Sequence, residues 1–181
     1  METAMESQVK RYDALSDLLQ YPQPGYLQAV QQAAGEFVHT KAQPFLLGFR
    51  ERVFGMALSD LEELYTRTFD INPVCALEVG WHLYGESYTR GSFLVELRKL
   101  MRQLCVEETA ELPDHLMLVL RILGRMKTEE ARHLVRERIL PAVRKMREGI
   151  PEVEHPYRLV LAAIIGVLED DFLMPGEGTA S

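Results

Sequence analysis

Apolar residues recur at spacings of three and four along most of the chain, the pattern of helices with one buried face. Val9, Tyr12, Leu15, Leu18 and Leu19 make the first such stripe, in a helix that ends at Tyr21-Pro22. Pro24 suits the first turn of a second helix, which carries Leu27, Val30, Ala34 and Phe37. A third runs from about Pro44 to Ala57, with Phe45, Phe49, Val53 and Phe54 on its buried side. Ser59 and Glu62 have the spacing of a capping box, opening a helix with Leu61, Leu64, Tyr65 and Phe69 on one face. Asn72-Pro73 stops it, because a residue before proline avoids helical angles. Ile71 to Ser87 is mixed, with a short helix around Ala76 to Leu83.

Thr89 to Cys105 is again periodic, with Phe93, Leu94, Leu97, Leu100, Met101 and Leu104 facing one way. Pro113-Asp114 opens a nearly all-apolar helix through Met126, and Asp114 is the expected N-cap. Thr128 is placed to cap a long charged helix reaching about Glu148, kinked at Pro141 and ended by Gly149. His155-Pro156 precedes a last helix whose middle, Leu159 to Leu168, is apolar on all sides. No alternating stretch, hairpin signal or fixed-period repeat interrupts this series. The expected fold is all-α, a single-domain helical bundle of about seven to eight helices over residues 1–175, with 176–181 as a flexible tail.

Composition fits that picture, with 47% hydrophobic and 26% charged residues. A net charge of -7 repels phosphate backbones and argues against nucleic acid as a partner. Cys75 and Cys105 are the only cysteines; without a C-x-x-C pair they exclude a zinc ribbon or thioredoxin motif and read as buried, reduced thiols. The first residues lack the apolar core of a signal peptide. The run Leu159 to Leu168 is about half of the ~20 residues a membrane span needs, so a cytoplasmic chain without stable membrane insertion is expected.

Catalytic patterns are missing: there is no Gly-x-Ser-x-Gly elbow and no Gly-rich phosphate loop. Glu130 with His133, and Glu152 with His155, have the Glu-x-x-His spacing of helical metal sites. The second pair lies between prolines and the first in a charge-rich helix, so neither a metal nor a cofactor is assigned. More informative is the segment from Leu61 to Gly91, which gathers Tyr65, Phe69, Asp70, Trp81, Tyr84, Glu86 and Arg90. Aromatic groups beside carboxylates suit a groove for a peptide that is basic at one end and apolar at the other. The plainer alternatives are that Tyr65 and Phe69 belong to a core stripe, and that Glu86 and Arg90, four apart, form a local helix ion pair. Asp114 is accounted for as a cap. His115 is not, because a positive charge at a helix start opposes the dipole.

Three segments, Leu64-Tyr65-Thr66-Arg67-Thr68-Phe69-Asp70, Gly85-Glu86-Ser87-Tyr88-Thr89-Arg90-Gly91 and Glu111-Leu112-Pro113-Asp114-His115-Leu116, together resemble the NarJ/TorD family of chaperones, in order and spacing nearest its nitrate-reductase branch. The resemblance implies an all-α chaperone, not an enzyme, acting on a molybdoenzyme of the dimethyl-sulfoxide-reductase superfamily. Its partner would be the catalytic subunit, bound through a twin-arginine leader or N-terminal peptide and kept competent for molybdenum-cofactor insertion. On the same resemblance Tyr65, Phe69, Glu86 and Arg90 match signature positions, and Asp114 and His115 match the leader-recognition loop. Asp70, Glu86 and Asp114 are expected to supply charge to the peptide, with Tyr65, Trp81 and Tyr84 as the apolar wall. The chain departs from the branch at Glu86, where an aspartate is usual, and over Ala76 to His82. Monomer and homodimer both stay open. Two other functions compete: a metal-binding helical enzyme using His82, His115 or His133, and a general helical adaptor.

Overall fold

The computed structural model describes residues 3–173; the expected tail, 176–181, lies outside them. The fold is all-α, with about 70% of the structure helical. Helix α1 (Ala4–Asp17) is followed by α2 (Tyr26–Glu36), α3 (Gln43–Val53), α4 (Leu58–Tyr65) and α5 (Val79–Tyr84). Then come α6 (Tyr88–Gln103), α7 (Leu116–Arg125), α8 (Thr128–Leu134), α9 (Leu140–Glu148) and α10 (Pro156–Phe172). A π-helical turn, Val135–Ile139, joins α8 to α9 directly ahead of Pro141, so the long charged helix runs through as one rod. Taken that way, the expected seven to eight helices correspond to eight of seven residues or more plus the short α5 among the described residues. The only extended pairing among those residues is an isolated antiparallel bridge between Glu78 and His115.

Helix α1 lies along α7, α2 bridges α1 and α3, and α10 packs against α3 and the α8–α9 rod. The α1–α7 contact is close because Gly124 has no side chain: a Cβ there would stand 2.7 Å from the Tyr12 Cβ. Around that seam Arg125 forks onto Asp13 at 2.7 and 2.9 Å, and the Gln8 amide donates to the carbonyls of Leu123 and Met126, closing the C-terminal end of α7. Leu116 to Leu120 and Val160 to Ile165 are buried without a break, as their all-apolar patterns predict.

Local expectations are corrected in several places. Gly55, at φ 84, turns the chain so tightly that α4 starts at Leu58, capped by the Ala57 backbone; Ser59 is inside the helix and makes no capping bond. A capping box stands instead at Thr3–Glu6. Lys127, not Thr128, is the N-cap of α8. On α3 the buried face is Leu46, Phe49 and Val53, while Phe45 and Phe54 are exposed. Cys75 is buried but Cys105 is exposed, at a positive φ just beyond α6, and both are free thiols. No helix among the described residues is long and apolar enough to cross a membrane.

Candidate functional site

Two loops meet beside the end of α4. The first, 71–78, leads into α5, and the second, 104–115, leads into α7. They are stitched by the Val79 amide donating to the Asp114 carbonyl and the Leu116 amide donating to the Leu77 carbonyl, both at 2.8 Å. The Asp114 side chain completes the joint. It is fully buried, accepts from the Gly80 amide at 3.0 Å, and takes Nε and Nη2 of Arg90 at 3.1 and 3.5 Å. Gly80 is required there by space, since a Cβ would lie 2.6 Å from the Asp114 carboxylate.

This geometry overturns two expectations. Asp114 is not the N-cap of α7 and is not a free charge: its oxygens are spent on Gly80 and Arg90, inside the protein. Nor do Glu86 and Arg90 pair, because Arg90 reaches inward to Asp114 and leaves Glu86 exposed at the start of α6. The N-cap of α7 is His115, whose Nδ1 accepts from the Met117 amide at 3.2 Å. Accepting at Nδ1 places the proton on Nε2 of a neutral ring. Burial lowers the His115 pKa to about 4, so the ring carries no charge to oppose the helix dipole at neutral pH.

Between the stitched loops and the end of α1 runs a cleft of two adjoining hollows, about 230 and 360 Å³, with Tyr21, Tyr65, Glu111 and His115 on both. Its floor is aromatic. The Tyr65 ring meets Tyr21 edge-on at 5.5 Å and Phe69 at 5.1 Å, and its hydroxyl donates to the Leu19 carbonyl at 2.9 Å. Tyr157, at 4.8 Å from Phe69, supports the cluster from α10. A second π-helical turn, Thr66–Asp70, ends α4 here and leaves Phe69 buried with Asp70 exposed.

The rim is acidic: Asp70, Glu78 and Glu111 line the larger hollow. Burial raises the Glu78 pKa, with smaller upward pushes from Asp114 and Glu111 against the downward pull of its own backbone hydrogen bond and of Arg90. The Tyr65 hydroxyl is pushed upward first by burial, then by Asp70 and others including Glu111 and Glu78, so all three carboxylates act on one ring.

Of the residues expected at the site, Tyr65, Phe69, Asp70 and His115 come together in this cleft. Arg90 and Asp114 stand behind it as a strut. Trp81 lines a different groove with Val74 and Lys145, its indole donating to the Pro73 carbonyl. Tyr84 packs against Phe93 at 5.8 Å. The apolar wall expected from Trp81 and Tyr84 is therefore not part of this cleft, because α5 faces them toward α6 and α9. Tyr21, Glu78 and Glu111 take their places. Glu111 stands inside the Glu-Leu-Pro-Asp-His segment, and only that proximity marked it; nothing local marks Tyr21 or Glu78.

His82, His115 and His133 do not converge, and no group of three or more His, Cys, Asp or Glu among the described residues is arranged to hold a metal ion. His155, the other half of one Glu-x-x-His pair, caps α10 through Nδ1 and meets Thr68 through Nε2. No curated protein matches the chain. The family described as nitrate reductase delta subunit matches residues 27–162, well over half of the sequence, so the chain belongs to that family, whose members are NarJ/TorD-type chaperones.

Proposed function

We propose that this chain binds the catalytic subunit of a molybdoenzyme, nitrate reductase in the first instance, through its leader or N-terminal peptide. It holds that subunit competent for insertion of the molybdenum cofactor, in the cytoplasm, and transforms nothing itself. Family membership supports a maturation chaperone in general. What supports the peptide reading is the cleft: an aromatic floor at Tyr21, Tyr65 and Phe69 under an acidic rim at Asp70, Glu78 and Glu111. A segment that is basic and then apolar satisfies both halves. Apolar contact contributes about 25 cal/mol per Å² buried, and the carboxylates fix orientation through charge-assisted hydrogen bonds.

A labelled synthetic peptide with two arginines followed by an apolar helical run tests this by fluorescence anisotropy. Saturable binding is expected, weakened but not abolished by high salt, since salt screens the rim and not the floor. Failure to saturate, with the protein folded by circular dichroism, would contradict the reading.

A further inference from the structure

We infer that two copies of this chain pair through the end of the molecule where the loops 53–57, 71–75 and 149–155 meet, with Glu152 of each copy facing Lys145 of the other across an apolar centre. None of the residues on that face lines the cleft, so the inference stands apart from the peptide reading.

Three contacts bring the loops together. Arg52 donates from Nε to the Glu154 carbonyl at 2.9 Å and pairs with the Glu154 carboxylate. Thr68, just ahead of the second loop, has its hydroxyl 3.3 Å from Nε2 of His155. Gly149 lies so close to Val74 that a Cβ there would stand 2.7 Å from the Val74 carbonyl. The surface these loops present is apolar. Six large hydrophobic residues among those described are more than 60% exposed, and four of them, Phe54, Ile71, Val74 and Val153, are here, at 75, 70, 62 and 67%. The other two, Tyr88 and Val95, lie on α6. Scattered single residues of this kind are ordinary on a protein surface; four on three touching loops make a patch that marks an interface.

Charge identifies the occupant. The chain carries a net charge of -7, so two copies repel over most of their surfaces. At this end the repulsion is nearly cancelled. Residues 53–57 and 71–75 include no charged side chain, and two cations, Arg52 and Lys145, stand against three carboxylates, Glu148, Glu152 and Glu154. Arg52 and Glu154 satisfy each other. Lys145, which borders a groove with Val74 and Glu148, forms no ion pair among the described residues and reaches only the His82 carbonyl. Glu152, on the third loop, forms none either. An unspent cation and an unspent anion on one face are self-complementary: a twofold axis sets each against its counterpart on the other copy, and two ion pairs rim the contact. A stable dimer buries about 800 Å² per partner, with an apolar centre inside a polar rim, and this end is built in that way.

Sedimentation of the full chain over a range of concentrations tests the pairing. The wild type is expected to shift from 20.7 kDa toward twice that mass as concentration rises. Phe54→Ser with Val153→Ser should weaken association about tenfold or more, while Tyr88→Ser with Val95→Ser leaves it unchanged. Lys145→Glu and Glu152→Lys should each weaken association by about tenfold, and mixing the two single variants should restore it, because the mixed pair again sets opposite charges face to face. Restoration on mixing also separates a contact between copies from a fold defect, which mixing cannot repair. A wild type that stays monomeric up to about 200 μM, well above the range of a specific dimer, overturns the proposal. If that monomer floats with phosphatidylcholine vesicles, the face belongs to a lipid surface instead. A dimer indifferent to the Phe54 and Val153 changes, or single charge variants that mixing does not rescue, overturns it as well.

Discussion

Helices α7 and α10 both begin with a histidine whose Nδ1 sits 3.2 Å from the amide two residues on. Behind His155 the other ring nitrogen meets the Thr68 hydroxyl, which in turn bonds the Leu64 carbonyl at 2.6 Å, so that helix start is closed upon itself. Behind His115 there is no such partner; the ring faces a cleft, and a buried ion pair, Asp114 with Arg90, fixes the loop beneath it. The same capping chemistry therefore serves a purely structural end in one place and leaves a donor facing solvent-accessible space in the other. On the proposed function, the helix start held by a charged strut, with one nitrogen unspent, is where the peptide would be met.

The largest break in this comparison is expected from Arg90→Met. Asp114 would stay buried beside Gly80 without its cation, at a cost of about 3–5 kcal/mol in urea unfolding, and peptide affinity should fall as the two loops separate. An unfolding midpoint like the wild type's would show that the strut carries no weight.

Acid comes next. With His115 near 4 in the folded chain and about 6.5 unfolded, the unfolded chain binds the proton first as pH falls. That contribution is complete above pH ~6.5 and drains away on the path down to about 4, up to ~3 kcal/mol at ~1.4 kcal/mol per pKa unit. His82 and His155 are also lowered by burial and act in the same sense; Glu78, raised by burial, acts in the opposite one. His115→Asn keeps a cap acceptor without the titration. Its stability should fall less steeply across that window, and an unchanged slope would remove His115 from the explanation. Thr68→Val, the counterpart at α10, should have the smallest effect: about 1 kcal/mol for the lost hydroxyl bonds, with peptide affinity untouched.

What the sequence showed and what it hid divide along the same line. The stripe on α6 and the unbroken apolar runs of α7 and α10 depend on neighbours three and four residues away, and periodicity reports those directly. The capping box expected at Ser59 failed because the turn at Gly55 set the helix start, an event upstream of the motif. The cleft depends on partners far apart in the chain. Asp114 reads as a cap until Gly80, 34 positions earlier, and Arg90, 24 earlier, are seen to claim its oxygens. Tyr21 and Glu78 join Tyr65 and Glu111 only when the end of α1 and two loops converge. His115, unexplained by local rules, was the one residue whose misfit pointed to the site.

Nitrogen-edited NMR of the histidine side chains during titration with the two-arginine peptide addresses the central claim most directly. The account predicts that the His115 Nε2 signal moves as the peptide saturates while the His155 Nε2 signal stays in place. A bound peptide that leaves His115 unmoved, or that shifts His155 instead, would place the binding surface elsewhere and contradict it.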